Sequence, residues 1–104
     1  MIERLTAEQI ETNLQHLNDK LECTWRIKQG KLTKQFTFSN FVDAFEFMKK
    51  VAIHAEKINH HPEWSNIYNK VVVELTTHDV GSLTTLDFEL ALNMEKQRLK
   101  VQIN

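Results

Sequence analysis

The sequence predicts an α+β fold: a two-layer sandwich of order α-β-β-α-β-β-α, with helices packed on one face of a four-stranded antiparallel sheet. Three observations predict it. Apolar residues recur at steps of three and four in three separate stretches, the mark of amphipathic helices. Two pairs of β-branched and aromatic runs each carry a tight-turn signal between their members, so the strands pair as antiparallel hairpins. With 104 residues, 2 glycines and 1 proline there is little room for linkers, and a single domain over residues 1–104 is expected.

The chain opens with Thr6-Ala7-Glu8-Gln9, a capping box in which threonine and glutamine satisfy each other's orphan amides. Leu5, Ile10, Leu14 and Leu17 follow, predicting a helix over about 6 to 18. Thr24 to Ile27 and Leu32 to Phe38 read as strands joined at Gly30, where glycine supplies the positive φ of a tight hairpin. Leu32, Lys34, Phe36 and Phe38 share one face of the second strand. Ser39 or Asn40 caps the longest helix, whose stripe reads Phe41, Ala44, Phe45, Met48, Val51 or Ala52, and Ala55, carrying the chain to Ile58. Pro62 disfavours the α region for the residue before it, so this helix stops at or before His61. Strands follow over Trp64 to Asn69 and Lys70 to His78, with a turn expected at Asn69-Lys70 because asparagine tolerates positive φ. Gly81 closes the strand region. Thr84-Thr85-Leu86-Asp87 then caps a last helix marked by Leu86, Leu90, Ala91 and Met94.

Bulk composition excludes several classes of function. Thirteen basic residues stand against 14 acidic ones, a net charge of -1, which gives no electrostatic reason to expect direct nucleic-acid or anionic-membrane binding. Cys23 is alone, so neither an intrachain disulfide nor a cysteine metal cluster can form, and a reducing compartment fits. The N-terminal residues lack the apolar core of a signal peptide, and no run approaches a spanning helix. A cytoplasmic location is the default expectation.

Chemistry is expected around Glu56-Lys57-Ile58-Asn59-His60-His61-Pro62-Glu63-Trp64, which holds two of the five histidines, the only proline and one of the two tryptophans. Imidazole is the one side chain whose ordinary pKa lets it give or take a proton near neutrality. Glu56 and His60 are four apart, so on a continuing helix they share a face. The pair reads either as a carboxylate preparing a proton donor or as an exposed pair of little consequence. Adjacent imidazoles diverge and rarely grip one ion; a zinc site of His60, His61 and His78 is conceivable, but nothing demands it. By strand alternation His78 shares a face with Glu74 and Thr76, which alone suits a surface residue. His16 and His54 read as ordinary solvent-facing residues. Trp64 reads as a core or interface anchor, or as a platform for a flat heterocycle. With no glycine-rich phosphate loop, nucleophile elbow or cysteine–histidine pairing, histidine and carboxylate acid–base catalysis remains.

The run from Glu56 to Trp64, with Asn66-x-Tyr68-Asn69-Lys70-Val71 and Thr77-His78, resembles the pterin-4a-carbinolamine dehydratases. The likeness reaches back to Lys34-Gln35-Phe36-x-Phe38 and Phe41-x-x-Ala44-Phe45-x-Phe47-Met48, and forward to Asp87. It covers most of the chain from about Trp25 onward. The resemblance implies a lyase, working without metal or organic cofactor, that dehydrates 4a-hydroxytetrahydrobiopterin to quinonoid dihydropterin for recycling. Carried over residue by residue, it makes His60, His61 and His78 catalytic. It puts Asn59, Thr76, Thr77 and Asp79 at substrate-contact positions, with Glu56 and Asp87 as acidic neighbours and Trp64 beside them. In this picture His60, prepared by Glu56, is the acid and a neutral His61 or His78 the base. Asn59 departs from a frequent aspartate, Ser65 from a larger residue and Val72 from the histidine of animal members; none of these is a catalytic position. The resemblance also implies a homotetramer, a dimer of dimers, which Val42, Phe47 and Ile53 off the main helix stripe would permit. It further implies an alternative role, that of a dimerisation cofactor binding a transcription factor, with a nuclear location.

Overall fold

The computed structural model describes residues 2–19 and 24–102. Cys23 lies outside them. Three helices and four strands follow in the expected order: α1 (Ala7–Asp19), β1 (Arg26–Lys28), β2 (Lys31–Thr37), α2 (Phe41–Lys57), β3 (Glu63–Ile67), β4 (Lys70–Leu75) and α3 (Thr85–Gln102), with a 3-10 turn at His78–Val80 before α3. The sheet is antiparallel throughout, in spatial order β1-β2-β4-β3, so the two hairpins meet along β2 and β4.

Alternation fixes which face is covered. Leu32, Lys34 and Phe36 of β2 and Val71, Val73 and Leu75 of β4 all turn inward and are buried, while Gln35 and Val72 lie on the open face. Phe36 and Phe38 of the β2 segment meet Phe47 of α2 at centroid distances of 4.7 and 5.0 Å, and Trp25 meets Phe36 edge-on at 5.8 Å. Such aromatic pairs add about 0.5–1.5 kcal/mol each beyond the area they bury. Lys34 points into this core because the pleat leaves it no alternative. It is neutralised there by Glu95 of α3, which also accepts from Trp25 Nε1 at 3.0 Å and Arg98 Nε at 2.9 Å. The Lys34 ammonium also lies 4.4 Å from the centre of the Phe36 ring.

The caps form as the sequence predicts. Thr6 and Gln9 close the reciprocal box on α1, Asn40 accepts from the Asp43 amide to start α2, and Thr84 with Asp87 caps α3. The stripe on α2 matches the expected one at Ala44, Val51 and Ala55, which are buried, and differs at its aromatic residues: Phe47 is buried, whereas Phe41 and Phe45 are exposed. Two apolar stripes with the same three-and-four spacing run side by side on this helix, and only the sheet decides which of them is inside.

The turns also depart in detail. Gln29 and Gly30 both take positive φ (53° and 77°), the two-residue hairpin geometry. The second hairpin turns at Tyr68-Asn69 rather than Asn69-Lys70, and the positive φ (51°) falls on Tyr68. Asn69 instead ties the turn to β2: its backbone and side chain make hydrogen bonds of 2.8 Å to the Phe38 backbone. Finally, β4 ends at Leu75 instead of His78. Leu75 lies opposite Leu32, next to the residue where β2 turns away, so the ladder has little left to pair with. Thr77 bridges to Ser82 across the 3-10 turn, and Gly81 closes it at φ 63°.

Candidate active site

Three chain breaks converge at one end of the sheet. The first is the end of α2. Asn59 adopts φ 53°, the left-handed conformation that asparagine tolerates better than most residues. The Asn59 amide bonds to Glu56 O at 3.2 Å and the His60 amide to Ala55 O at 3.0 Å, the paired bonds of a Schellman cap. This reversal swings His60 off the helix and into the protein, where it is 8 % exposed. Pro62 then leads the chain into β3.

The second break is the start of α3. Asp87, fully buried, occupies the third position of the capping box and accepts from the Thr84 amide at 2.9 Å and the Thr77 hydroxyl at 2.8 Å, both on Oδ2. Its other oxygen lies 2.7 Å from His60 Nε2. Because Asp87 accepts from the Thr84 amide and the Thr77 hydroxyl on one oxygen, the His60 ring donates from Nε2 to the other. The His60 partner is therefore Asp87 and not the expected Glu56.

The third break follows β4. His78 begins the 3-10 turn and bends around the sheet end, so alternation with Glu74 and Thr76 does not describe it. Its Nε2 lies 2.7 Å from Glu63 Oε2 at the start of β3. Glu63 Oε1 in turn accepts from Lys31 Nζ at 2.6 Å. The Lys31 hydrogen bond, and after it that of His78, hold the Glu63 carboxyl below its ordinary range, while Glu63 raises the Lys31 ammonium. Glu56 bonds to His61 Nε2 at 2.8 Å, both side chains being well exposed.

A cavity of about 230 Å³ lies where these breaks meet. His60, His61 and His78 line it, together with Asn59, Thr76, Thr77 and Asp79. Seven of the ten residues picked out in the sequence thus surround one hollow. Of the others, Asp87 buttresses His60 from beneath and Glu56 holds His61. Trp64 sits opposite Val73 and packs against the core instead of lining the cavity. The sequence reading missed Ile2 and Leu86 in the wall, Thr84 beneath Asp87, and the Lys31–Glu63 pair. Glu63 follows the histidines directly, but its pairing with a residue 15 positions on has no local signal. Ile2 reaches the site because Arg4 Nε bonds to Val80 O at 2.7 Å and the Leu5 amide to Leu83 O at 2.9 Å. The three imidazoles are each tied to a different carboxylate, and among the described residues no cluster of three or more His, Cys, Asp or Glu is arranged to hold a metal ion. His54 differs from its expected solvent-facing role: it is half-buried, 3.6 Å from Glu89 of α3. Among the described residues no helix is long and apolar enough to cross a membrane.

Chemically the arrangement offers imidazoles on several walls of one cavity, each with its Nε2 held by an acid. It is suited to delivering a proton at one atom of a small ligand and removing one at another. Residues 3–97 match the family model described as pterin 4 alpha carbinolamine dehydratase. A protein of Rhizobium leguminosarum bv. trifolii, named as a candidate pterin-4-alpha-carbinolamine dehydratase, is 48% identical over 97 residues, 91% of each chain. A Prochlorococcus marinus protein, named in the same way, is 54% identical over 68 residues, 65% of this chain and 71% of that one. A crystal structure from Brucella melitensis, described as a transcriptional coactivator/pterin dehydratase, superposes with a TM-score of 0.83. It is 38% identical, over 92% of this chain and 99% of that one.

Proposed function

The chain belongs to the pterin 4 alpha carbinolamine dehydratase family, and on that premise we propose that it is a hydro-lyase acting on 4a-hydroxytetrahydrobiopterin in pterin recycling. The observation that carries the reading is the cavity lined by His60, His61 and His78, each ring bonded to its own carboxylate. In the reaction the C4a–O bond breaks and the hydroxyl leaves as water after receiving a proton. The N5–H proton goes to a base, and its electron pair completes the C4a=N5 double bond. His60, with Nε2 committed to Asp87, serves as the acid through Nδ1. His61 or His78 is the base, and each proton transfer contributes about 10²–10⁴-fold. Asn59, Thr76, Thr77 and Asp79 contact the pterin ring, while Ile2 and Leu86 offer apolar surface to it. Neither metal nor organic cofactor takes part, and the protein works in the cytoplasm as a single-domain subunit. The test is dehydration of chemically generated 4a-hydroxytetrahydropterin, followed by ultraviolet absorbance. Acceleration over the spontaneous rate by wild type, lost in His61→Ala, supports the lyase; no acceleration by folded protein rejects it.

A second reading is favoured by the exposed apolar face of α2, where Phe41, Val42, Phe45 and Ile53 are 48, 71, 57 and 67% exposed. Such a face suits helix-to-helix assembly, either in a homotetramer or, as in the coactivator description of the Brucella relative, with a transcription factor. Phe47, expected on that face, is instead fully buried in the core. Light scattering separates the outcomes: a clean monomer argues against the tetramer.

A further inference from the structure

His78 differs from His60 in having no burial to hold it. Its side chain is 72% exposed, and it stands on a three-residue turn. An imidazole so exposed samples several rotamers and both neutral tautomers unless a partner selects one. Glu63 is that partner, and unlike Glu56, which is 80% exposed, it is itself clamped. Lys31 leaves β2 next to the Gly30 turn and reaches Glu63 Oε1 at 2.6 Å, so the carboxylate presents Oε2 to His78 at 2.7 Å. Glu74, the cross-strand neighbour of Glu63, also attracts Lys31. Three segments far apart in sequence are thereby fixed around one ring.

We infer that Lys31 and Glu63 are positioning residues for the reaction proposed above: Lys31 orients Glu63, and Glu63 holds His78 with its proton on Nε2 and Nδ1 free to work on the substrate. Neither residue lines the cavity, so both act through His78. A carboxylate can only accept, which dictates the tautomer; an amide can accept or donate, which does not.

The inference rests on the lyase reading, so its test pairs a kinetic readout with a spectroscopic one. Wild type, Glu63→Gln, Lys31→Met and Lys31→Arg are compared as full chains for kcat and KM in pterin dehydration. The ¹⁵N shifts of the His78 ring, assigned by their loss in His78→Ala, are recorded beside them. Glu63→Gln is expected to lower kcat about tenfold with KM within about twofold, in the range of other residues that orient a working ligand. Its neutral ring is expected to become a mixture of tautomers. Lys31→Met gives a smaller shift in the same direction, and Lys31→Arg restores wild-type values. Unchanged kcat in an active Glu63→Gln enzyme, or an unchanged ring spectrum, overturns the inference. If wild type itself fails to accelerate dehydration, the lyase reading falls, and the ring spectrum alone decides whether the pair fixes His78.

Discussion

The two sides of the cavity hold their histidines by different physics. On the inner side His60 is buried, and its partner Asp87 is fully buried and held by a backbone amide and a threonine hydroxyl. On the outer side His61 and His78 are exposed, and their partners Glu56 and Glu63 are surface carboxylates. The inner ring is oriented by packing and a capping box that the fold needs anyway, so its geometry is insensitive to salt. The outer rings are oriented by hydrogen bonds to carboxylates that stand in water, where such contacts are weak and the Lys31–Glu63 attraction behind one of them is screened over about 8–10 Å. The difference teaches that one site can combine a buried, packed ring with exposed ones, of which His78 alone, among the described residues, has a carboxylate that is itself bonded to a lysine.

The largest expected effect is on the inner side. Asp87→Asn is expected to lower kcat by about 10²-fold or more, because the Thr84 amide and Thr77 hydroxyl hold the amide oxygen on their side and turn its NH2 to Nε2, which drives the His60 proton to the wrong nitrogen. Steady-state kinetics checks this. Asp87→Ala should also cost about 2–4 kcal/mol in urea unfolding, since it removes the acceptor of the Thr84 amide and of His60 and leaves the Thr77 hydroxyl with only the Thr84 hydroxyl as partner. Next, Lys34→Met leaves Glu95 of the core with one fewer cation and is expected to cost about 3 kcal/mol, with kcat unchanged in the fraction still folded.

The same core pair sets the acid limb of stability. Burial alone would raise the Glu95 carboxyl, but hydrogen bonds from Lys34 and Arg98 hold it below the ordinary glutamate value of 4.5. A depressed carboxyl is unprotonated in the folded chain where the unfolded chain already binds a proton. Its contribution is therefore present above about 4.5 and lost as pH falls through the lower folded value. Urea midpoints measured from pH 6 down to pH 3 should fall, and Lys34→Met should flatten that slope.

Smaller effects separate the two sides further. Raising NaCl from about 0.1 to 1 M should slow turnover severalfold at most through His61 and His78, and leave an Asp87-dependent stability difference unchanged. Asn59→Gly should change stability by only a few tenths of a kcal/mol. Asn59→Val should cost about 1–2 kcal/mol, because a β-branched residue resists the left-handed cap.

These contrasts also explain what could be read from the chain beforehand. Caps, hairpins and element order are local, and Thr6-Gln9, Gly30 and Thr84-Asp87 announce them within four residues. Of the cavity, local rules picked out only the His60-His61 end of α2 ahead of Pro62; Asn59, Thr76, Thr77, His78 and Asp79 were reached through the family resemblance, because no spacing rule joins the end of α2 to the turn after β4. The pairings inside it were not legible. Glu56 faces His60 only if the helix continues, and the left-handed turn at Asn59 instead brings His61 back to Glu56 and sends His60 to Asp87, 27 residues on. The α2 stripe was right at Ala44, Val51 and Ala55 and wrong at its aromatic edge for a related reason: Phe41, Phe45 and Phe47 all fit three-and-four spacing, and choosing Phe47 over the other two needs the sheet.

The most direct test is the dehydration rate measured for His60→Ala, His61→Ala and His78→Ala beside wild type, at matched folded concentration. The account predicts loss of at least tenfold in every variant, largest for His60, whose ring the fold holds most firmly. A His60→Ala enzyme that turns over near the wild-type rate while the other two do not would contradict it.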